Sequence, residues 1–317
     1  MTASLPCHVD RDICVASDTV LRVTRSDKPT TWDWVLVAGP GTIWGTSFLF
    51  IAEGLHAVAP NGVTFLRILI GFLTLSLVPG VRKPVAKDDR LGVVRLGIVW
   101  VAFPLSMFPF AEQHVSSALT GMLNGATPLF AAIVASVFAR KAPERAVVIG
   151  LAVGLSGAVL IALPSLNEGS NSLTGVMLIL AALCSYGFAI NFARPLQQRN
   201  GALPVVWRAL GVGLVLTAPL GVPEVLRAQW SLWPAVSLFC LGAFGTGVAF
   251  VLMATAAGRV GAARAAGTVF ITPVVALLLG VTLRGEHVAV LSVAGCVVCL
   301  AGAWIMGAPS RRAAPAR

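Results

Sequence analysis

AEQHVSSALTGMLNGATPLFAAIVASVFARKAPERAVVIGLAVGLSGA, residues 111–158, returns as AAGRVGAARAAGTVFITPVVALLLGVTLRGEHVAVLSVAGCVVCLAGA, residues 256–303. The shift is 145 residues throughout, with no gap. It lays Val115 on Val260, Ala118 on Ala263, Thr127-Pro128 on Thr272-Pro273, Gly150 on Gly295 and Gly157-Ala158 on Gly302-Ala303. The two stretches agree at 12 of 48 positions, where composition alone gives agreement at roughly a tenth. Co-registered prolines and glycine pairs do not follow from alanine richness, so the chain is read as a duplication.

The solvent of that duplication is set by composition. Hydrophobic side chains make up 57% of the 317 residues and charged ones 11%, too little polar surface to coat a soluble globule. In lipid every backbone polar group must be satisfied internally, and the apolar runs approach the ~20 residues of a spanning helix without strict alternation. The expected fold is therefore an all-α integral membrane protein. Ten spans are read at residues 34–54, 62–80, 91–110, 116–139, 146–164, 172–193, 203–222, 231–254, 260–283 and 288–307.

Residues 1–33 are polar, lack the apolar core of a secretory signal, and are expected to form a cytosolic tail. Residues 308–317 form a short basic one. The spans between them divide into two five-helix repeats, residues 34–164 and 172–307. An odd number of spans per repeat makes the second copy cross the membrane in the opposite direction to the first.

A net charge of +10 raises the question of nucleic acid, and the placement of the 23 basic residues answers it. With the N-terminus inside, all but Arg67, Arg227 and Arg284 fall in inner segments or at inner span ends, as the positive-inside rule requires. The basic balance then reports insertion topology and contact with anionic lipid headgroups, not a nucleic-acid face. Trp32, Trp34, Trp207, Trp230, Trp233 and Trp304 fall near the expected interfaces, where an amphipathic indole is favoured. Cys184, Cys240, Cys296 and Cys299 lie in spans and Cys7 and Cys14 in the tail, so no disulfide framework is read. Neither a metal nor another cofactor is expected, since Cys7, His8 and Cys14 lack further ligands for a closed zinc site.

TIWGTSFLF in the first span, Pro60 followed by Phe65-Leu66-Arg67, TPLFAAIVA after Ala118, and TPVVALLLGVTLRGE before Gly295 together resemble the EamA-type family of the drug/metabolite transporter (DMT) superfamily. The resemblance covers residues 34–307 in two copies. It implies a ten-helix inverted-repeat carrier of the inner membrane, multi-pass and without enzymatic activity, exporting amino acids, small metabolites or toxic compounds. One departure is Lys141, where the family's first copy often carries the acidic residue of a Gly-Glu pair that the second copy keeps as Gly285-Glu286. Glu144 is a shifted candidate for that role.

Inverted repeats place the substrate path between the halves near the bilayer midplane, and intramembrane polar groups are the default candidates for lining it. Thr120, Asn124 and Thr127 stand at i, i+4 and i+7 and share a helix face, with Asn124 either lining the path or bonding a neighbouring helix. Thr268 and Thr272 form the corresponding stripe in the ninth span. Trp44 and Tyr186, at matching depth in the first and sixth spans, offer aromatic or cation-π surface or simple packing. Asn191 is a further candidate. Pro128 and Pro273 each remove a backbone hydrogen bond and mark a hinge or a static kink. No carboxylate lies mid-membrane. Coupling to a proton counter-ion therefore falls to groups toward the outer ends, namely Glu53, Glu112 and His114, with Arg67 placed to pair with Glu53.

The expected function is secondary export of a small neutral or zwitterionic metabolite by alternating access. The alternatives are an organic-phosphate or nucleotide-sugar antiporter of the same superfamily, a lipid-modifying membrane enzyme, or a membrane scaffold.

Overall fold

The computed structural model describes residues 30–140, 143–166, 170–261 and 265–307. The two tails, with Cys7, His8 and Cys14, and Lys141 lie outside them. The described residues are helical, with no strand among them. In chain order they form α1 (Thr31–Gly54), α2 (Pro60–Ser76), α3 (Lys87–Ala111), α4 (Ser117–Ala139), α5 (Arg145–Leu166), α6 (Ser170–Asn200), α7 (Ala202–Leu226), α8 (Leu232–Val260), α9 (Thr268–Arg284) and α10 (Val290–Gly307). Eight of these are long and apolar enough to cross a membrane, and α2 and α9 are shorter apolar helices of 17 residues each. Leu77, Leu220, Leu226, Leu232 and Val290 stand exposed on the outside, a surface suited to lipid and not to water.

Local chemistry starts and interrupts the helices. Thr30 caps α1 in a reciprocal box with Asp33, and Pro60 opens α2 at the position where its missing N–H is not needed. α3 and α8 each contain one six-residue π-helical turn, Gly97–Ala102 and Ala243–Val248. Pro104, which lacks an N–H, follows the first; Gly245 and Gly247 sit in the second. α4 breaks at Gly125-Ala126, whose N–H groups turn back to Met122 and Leu123. Pro128 sits in the first turn of the piece that restarts at Thr127, whereas Pro273 lies inside α9.

Packing crosses between the halves. α1 packs on α8 and α9 of the second half, and α6 packs on α3 and α4 of the first. α2 pairs with α7, and α5 with α10. Small residues set these approaches, as expected where lipid supplies no hydrophobic drive between helices. A Cβ on Gly41 or Gly45 would meet the Thr268 or Thr272 carbonyl of α9. On α5, Gly150 lies against the Gly302 carbonyl and Gly157 against the Gly295 carbonyl of α10. The glycine pairs that recur in the sequence are thus the two contact points of one helix crossing.

Candidate functional site

The centre of the bundle is built around the two π turns. A π turn displaces one carbonyl from the regular ladder and leaves it available to a neighbour. In α8 the Gly245 carbonyl accepts from the Trp44 indole N–H of α1 at 3.1 Å. In α3 the Val99 carbonyl accepts from the Ser185 hydroxyl of α6 at 2.6 Å. Next to Gly245, the Thr246 hydroxyl accepts from Arg67 Nε of α2 at 3.1 Å. Arg67 is buried, at 7% exposure.

Aromatic rings fill the space around these bonds. Phe250 stands edge-on to Trp44 and Trp100, with centroids 6.0 and 5.4 Å away. Tyr186 lies against Phe108 at 5.9 Å, and Phe108 is edge-on to Phe48 at 5.7 Å. Trp44, Trp100 and Tyr186 are only partly buried, so each keeps some ring surface uncovered.

Most of the polar side chains singled out in α4, α6 and α9 are committed to backbone. Thr120 is fully buried and donates to the Ser116 carbonyl at 3.0 Å. Thr127 donates to the Asn124 carbonyl at 2.7 Å, and the break between them interrupts the shared face read from the sequence. Asn124 is half-buried, and its amide nitrogen makes no hydrogen bond among the described residues. Thr268 and Thr272 donate to the Val37 and Gly41 carbonyls of α1 at 2.7 and 3.3 Å. Asn191 donates to the Ala131 carbonyl of α4 at 3.0 Å and to Gly187 in its own helix at 2.8 Å. The Pro273 ring rests against Gly125, so the interrupted stretches of α4 and α9 meet.

At one end of the bundle carboxylates act across the halves. Gly285, at φ 64°, ends α9 in the left-handed conformation, and the Glu286 N–H returns to the Gly280 carbonyl at 3.0 Å. That reversal aims Glu286 at the first turn of α4. Glu286 Oε1 accepts from the Ser117 N–H and hydroxyl at 3.0 and 2.7 Å, and Oε2 accepts from the Ala118 N–H at 2.8 Å. Arg284 binds both Glu286 and Glu53. Arg67, expected beside Glu53, turns instead to Thr246. Glu224 of α7 does for α2 what Glu286 does for α4, accepting from the Asn61 amide and the Gly62 N–H, both at 2.7 Å. Anionic groups at helix N-termini satisfy otherwise unpaired N–H donors and complement the helix dipole.

Glu112 is the exception at this end. Both of its carboxyl oxygens are sealed from solvent and have no hydrogen-bond partner among the described residues. Burial pushes this carboxyl well above the usual carboxylate range, and Glu286 adds to the shift, while Arg284 and Arg67 oppose it. Beside it opens a cavity of about 320 Å³ lined by Glu112, His114, Ser116, Ser165 and His287 among others. Glu53, Glu112 and His114 thus fall at one end, joined there by Arg284, Glu286 and His287. Thr246, Glu224 and Glu286 escaped the sequence reading as partners. For Glu286 the signal was present, in its register with Lys141.

The chain resembles known proteins along most of its length. A family model described as the EamA-like transporter family matches residues 31–163 and again 173–308. A probable terminal-alkyne amino-acid exporter of Streptantibioticus cattleyicolor is 26% identical over 86% of this chain and 92% of its own. An uncharacterized inner membrane transporter of Escherichia coli, YedA, is 29% identical over 77% of this chain and 80% of its own. A solved crystal structure covers 87% of this chain and 96% of its own at a TM-score of 0.58 and 18% identity, which carries the fold alone. With the family model matching twice, once per half, this multi-pass membrane protein belongs to the EamA-like transporter family.

Proposed function

We propose that the protein is a secondary carrier that exports amino acids or other small zwitterionic metabolites across the inner membrane by alternating access. The observation that carries this reading is the exchange of partners between the halves: α1 packs on α8 and α9, while α6 packs on α3 and α4. It leaves a part-polar, aromatic interior between two similar bodies, where carriers of repeated design bind their cargo.

Three further relations support ten spans in two inverted repeats. The shift that lays Gly150 on Gly295 and Gly157 on Gly302 also exchanges the Gly150–Gly302 contact with the Gly157–Gly295 contact. The π turns stand at matching places in the third helix of each half, and the carbonyls taken by Ser185 and Trp44 correspond to within a residue. With α2 and α9 counted as spans, the distribution of basic residues favours both termini on the cytoplasmic side.

In this reading Trp44, Asn124, Thr127, Tyr186, Asn191, Thr268 and Thr272 border the path, with the uncovered rings and the unpaired Asn124 amide facing cargo. Gly125, Pro128 and Pro273 form the place where α4 and α9 flex. The end capped by Glu286 and Glu224 is the closed gate. Its Arg284–Glu53 pair is more shielded than the Arg199–Asp89 and Arg259–Asp33 pairs at the other end, whose arginines are half exposed. Glu112, whose burial favours the protonated carboxyl and whose charging is favoured when its surroundings open to water, is the group through which a proton is exchanged for cargo. Its field includes Arg67 of α2, Arg284 at the end of α9 and Glu286 in the turn that follows, and His114 and His287 line the adjoining cavity.

Counterflow in liposomes holding the purified protein tests the reading. Internal unlabelled amino acids should drive accumulation of the labelled ones, and an imposed pH gradient should strengthen it. A carrier that moves no member of a broad panel of amino acids, purines and amphiphiles is not the exporter proposed.

A further inference from the structure

A guanidinium stays charged when buried, and among the described residues no carboxylate pairs with the one at Arg67. Arg67 stands seven residues into α2, about 10 Å along the helix at 1.5 Å per residue. Among the described residues it takes part in none of the ion pairs, which join Arg199, Arg259 and Arg284 to carboxylates. Its Nε is held by Thr246. Among the described residues its two terminal nitrogens find no hydrogen-bond partner, and they are not sealed, since there the Glu112 oxygens alone are both shut from solvent and unpaired. A fixed, unpaired cation inside a membrane protein opposes folding, and such residues mark binding or conduction sites.

The surroundings describe what would complete it. Tyr186 from α6 and Glu112 from the end of α3 lie within its electrostatic reach. Neither binds it: the Glu112 oxygens are unpaired, and the Tyr186 hydroxyl has no hydrogen-bond partner among the described residues. Thr246 orients the fork from one side, and through adjacent Gly245 the Trp44 indole is fixed beside it. A planar fork with two free N–H-bearing nitrogens matches a carboxylate in bidentate geometry. A single cation balances a monoanion better than a phosphate dianion. The phenol adds a donor, and the aromatic faces suit an apolar side chain or an ammonium group.

We infer that Arg67, with Thr246, Tyr186 and Trp44 about it, is the receptor for the α-carboxylate of an amino-acid cargo. The inference rests on the transport reading and names its substrate class. Cargo carboxylate supplies the charge the resting protein lacks, and an analogue without that carboxylate leaves the guanidinium unpaired.

The test labels Arg67 with phenylglyoxal in the wild-type protein in nanodiscs, read by mass spectrometry on the peptide that carries it. A pool of L-amino acids should slow labelling, and the matching pool of amino-acid amides should not. An Arg67 that never reacts, or that both pools or neither protects, overturns the inference. Counterflow then separates it from transport itself. Arg67→Gln should lower amino-acid counterflow by about 10- to 100-fold, the scale of one lost hydrogen bond to a charged group, and remove the preference over amides. Arg67→Lys should restore part of it. Protection without flux in the wild-type protein would sink the transport reading and leave the receptor standing. Flux in Arg67→Gln with the preference for the acids intact would sink the receptor and leave transport standing.

Discussion

Glu286 shows how one carboxylate can hold two repeats together. It satisfies two N–H groups and a hydroxyl at the start of α4 while keeping its ion pair with Arg284. Removing it orphans donors in a partly buried place, so Glu286→Ala is expected to cost about 1–3 kcal/mol and to lower the melting temperature in detergent. Glu286→Gln, which retains one acceptor, should cost less. Equal melting temperatures for the two variants and the parent would show that the cap carries no weight.

Glu112 makes an opposite kind of prediction. Its carboxyl holds the proton more tightly folded than unfolded, so the folded state binds more protons between the ordinary value of about 4.3 and its raised one. Stability should therefore be highest below that window and fall as pH rises through it. Glu112→Gln should flatten the decline, which thermal melts from about pH 5 to about pH 8 would read; an identical slope in both proteins would deny the buried proton. Of these two residues the sequence exposed Glu112 as a candidate by its place near a span end. It could not show that its oxygens are unpaired, because that depends on how the neighbouring helices pack around the end of α3.

At the scale of elements, the α5–α10 crossing leaves no room for side chains at its contact points. A Cβ on Gly302 would fall onto the Gly154 backbone, whereas one on Gly258 of α8 meets nothing within 4 Å. Gly302→Val should cost about 1–3 kcal/mol by overpacking. Gly258→Ala should be neutral or slightly stabilising, since alanine is the better helix former. Comparable melting temperatures for these two variants would contradict the crossing. The repeated glycines were legible in the sequence as a pattern, and the structure adds which glycine each one meets.

The π turns were not legible. A π turn differs from an α turn by one residue of register and leaves no compositional period to read. The break in α4 had a signal in Gly125 and Pro128, but Thr120, Asn124 and Thr127 also fit an unbroken helix. Backbone geometry, not residue type, decided between them. Arg140 makes the same point: it takes the left-handed conformation, φ 48°, at the place where the second copy has Gly285. Register with glycine was the available clue to a residue type that seldom adopts it.

For the whole molecule, composition and a repeat were enough to predict a helical membrane protein with two related halves, because lipid admits few alternatives for the backbone. The proposed cargo receptor was harder to read. Arg67 was visible as an intramembrane charge, yet its expected partner was Glu53, and only the packing of α2 on α8 gave it Thr246 and left its fork open. The proposed alternating access requires that the end capped by Glu286 part between the halves during each cycle. The most direct measurement joins Ser117→Cys on α4 to Glu286→Cys after α9 with a short thiol cross-linker, in a background free of other cysteines, and follows counterflow in liposomes. Flux should stop on cross-linking and return when a cleavable linker is reduced. Undiminished flux through the fully cross-linked protein would contradict the account.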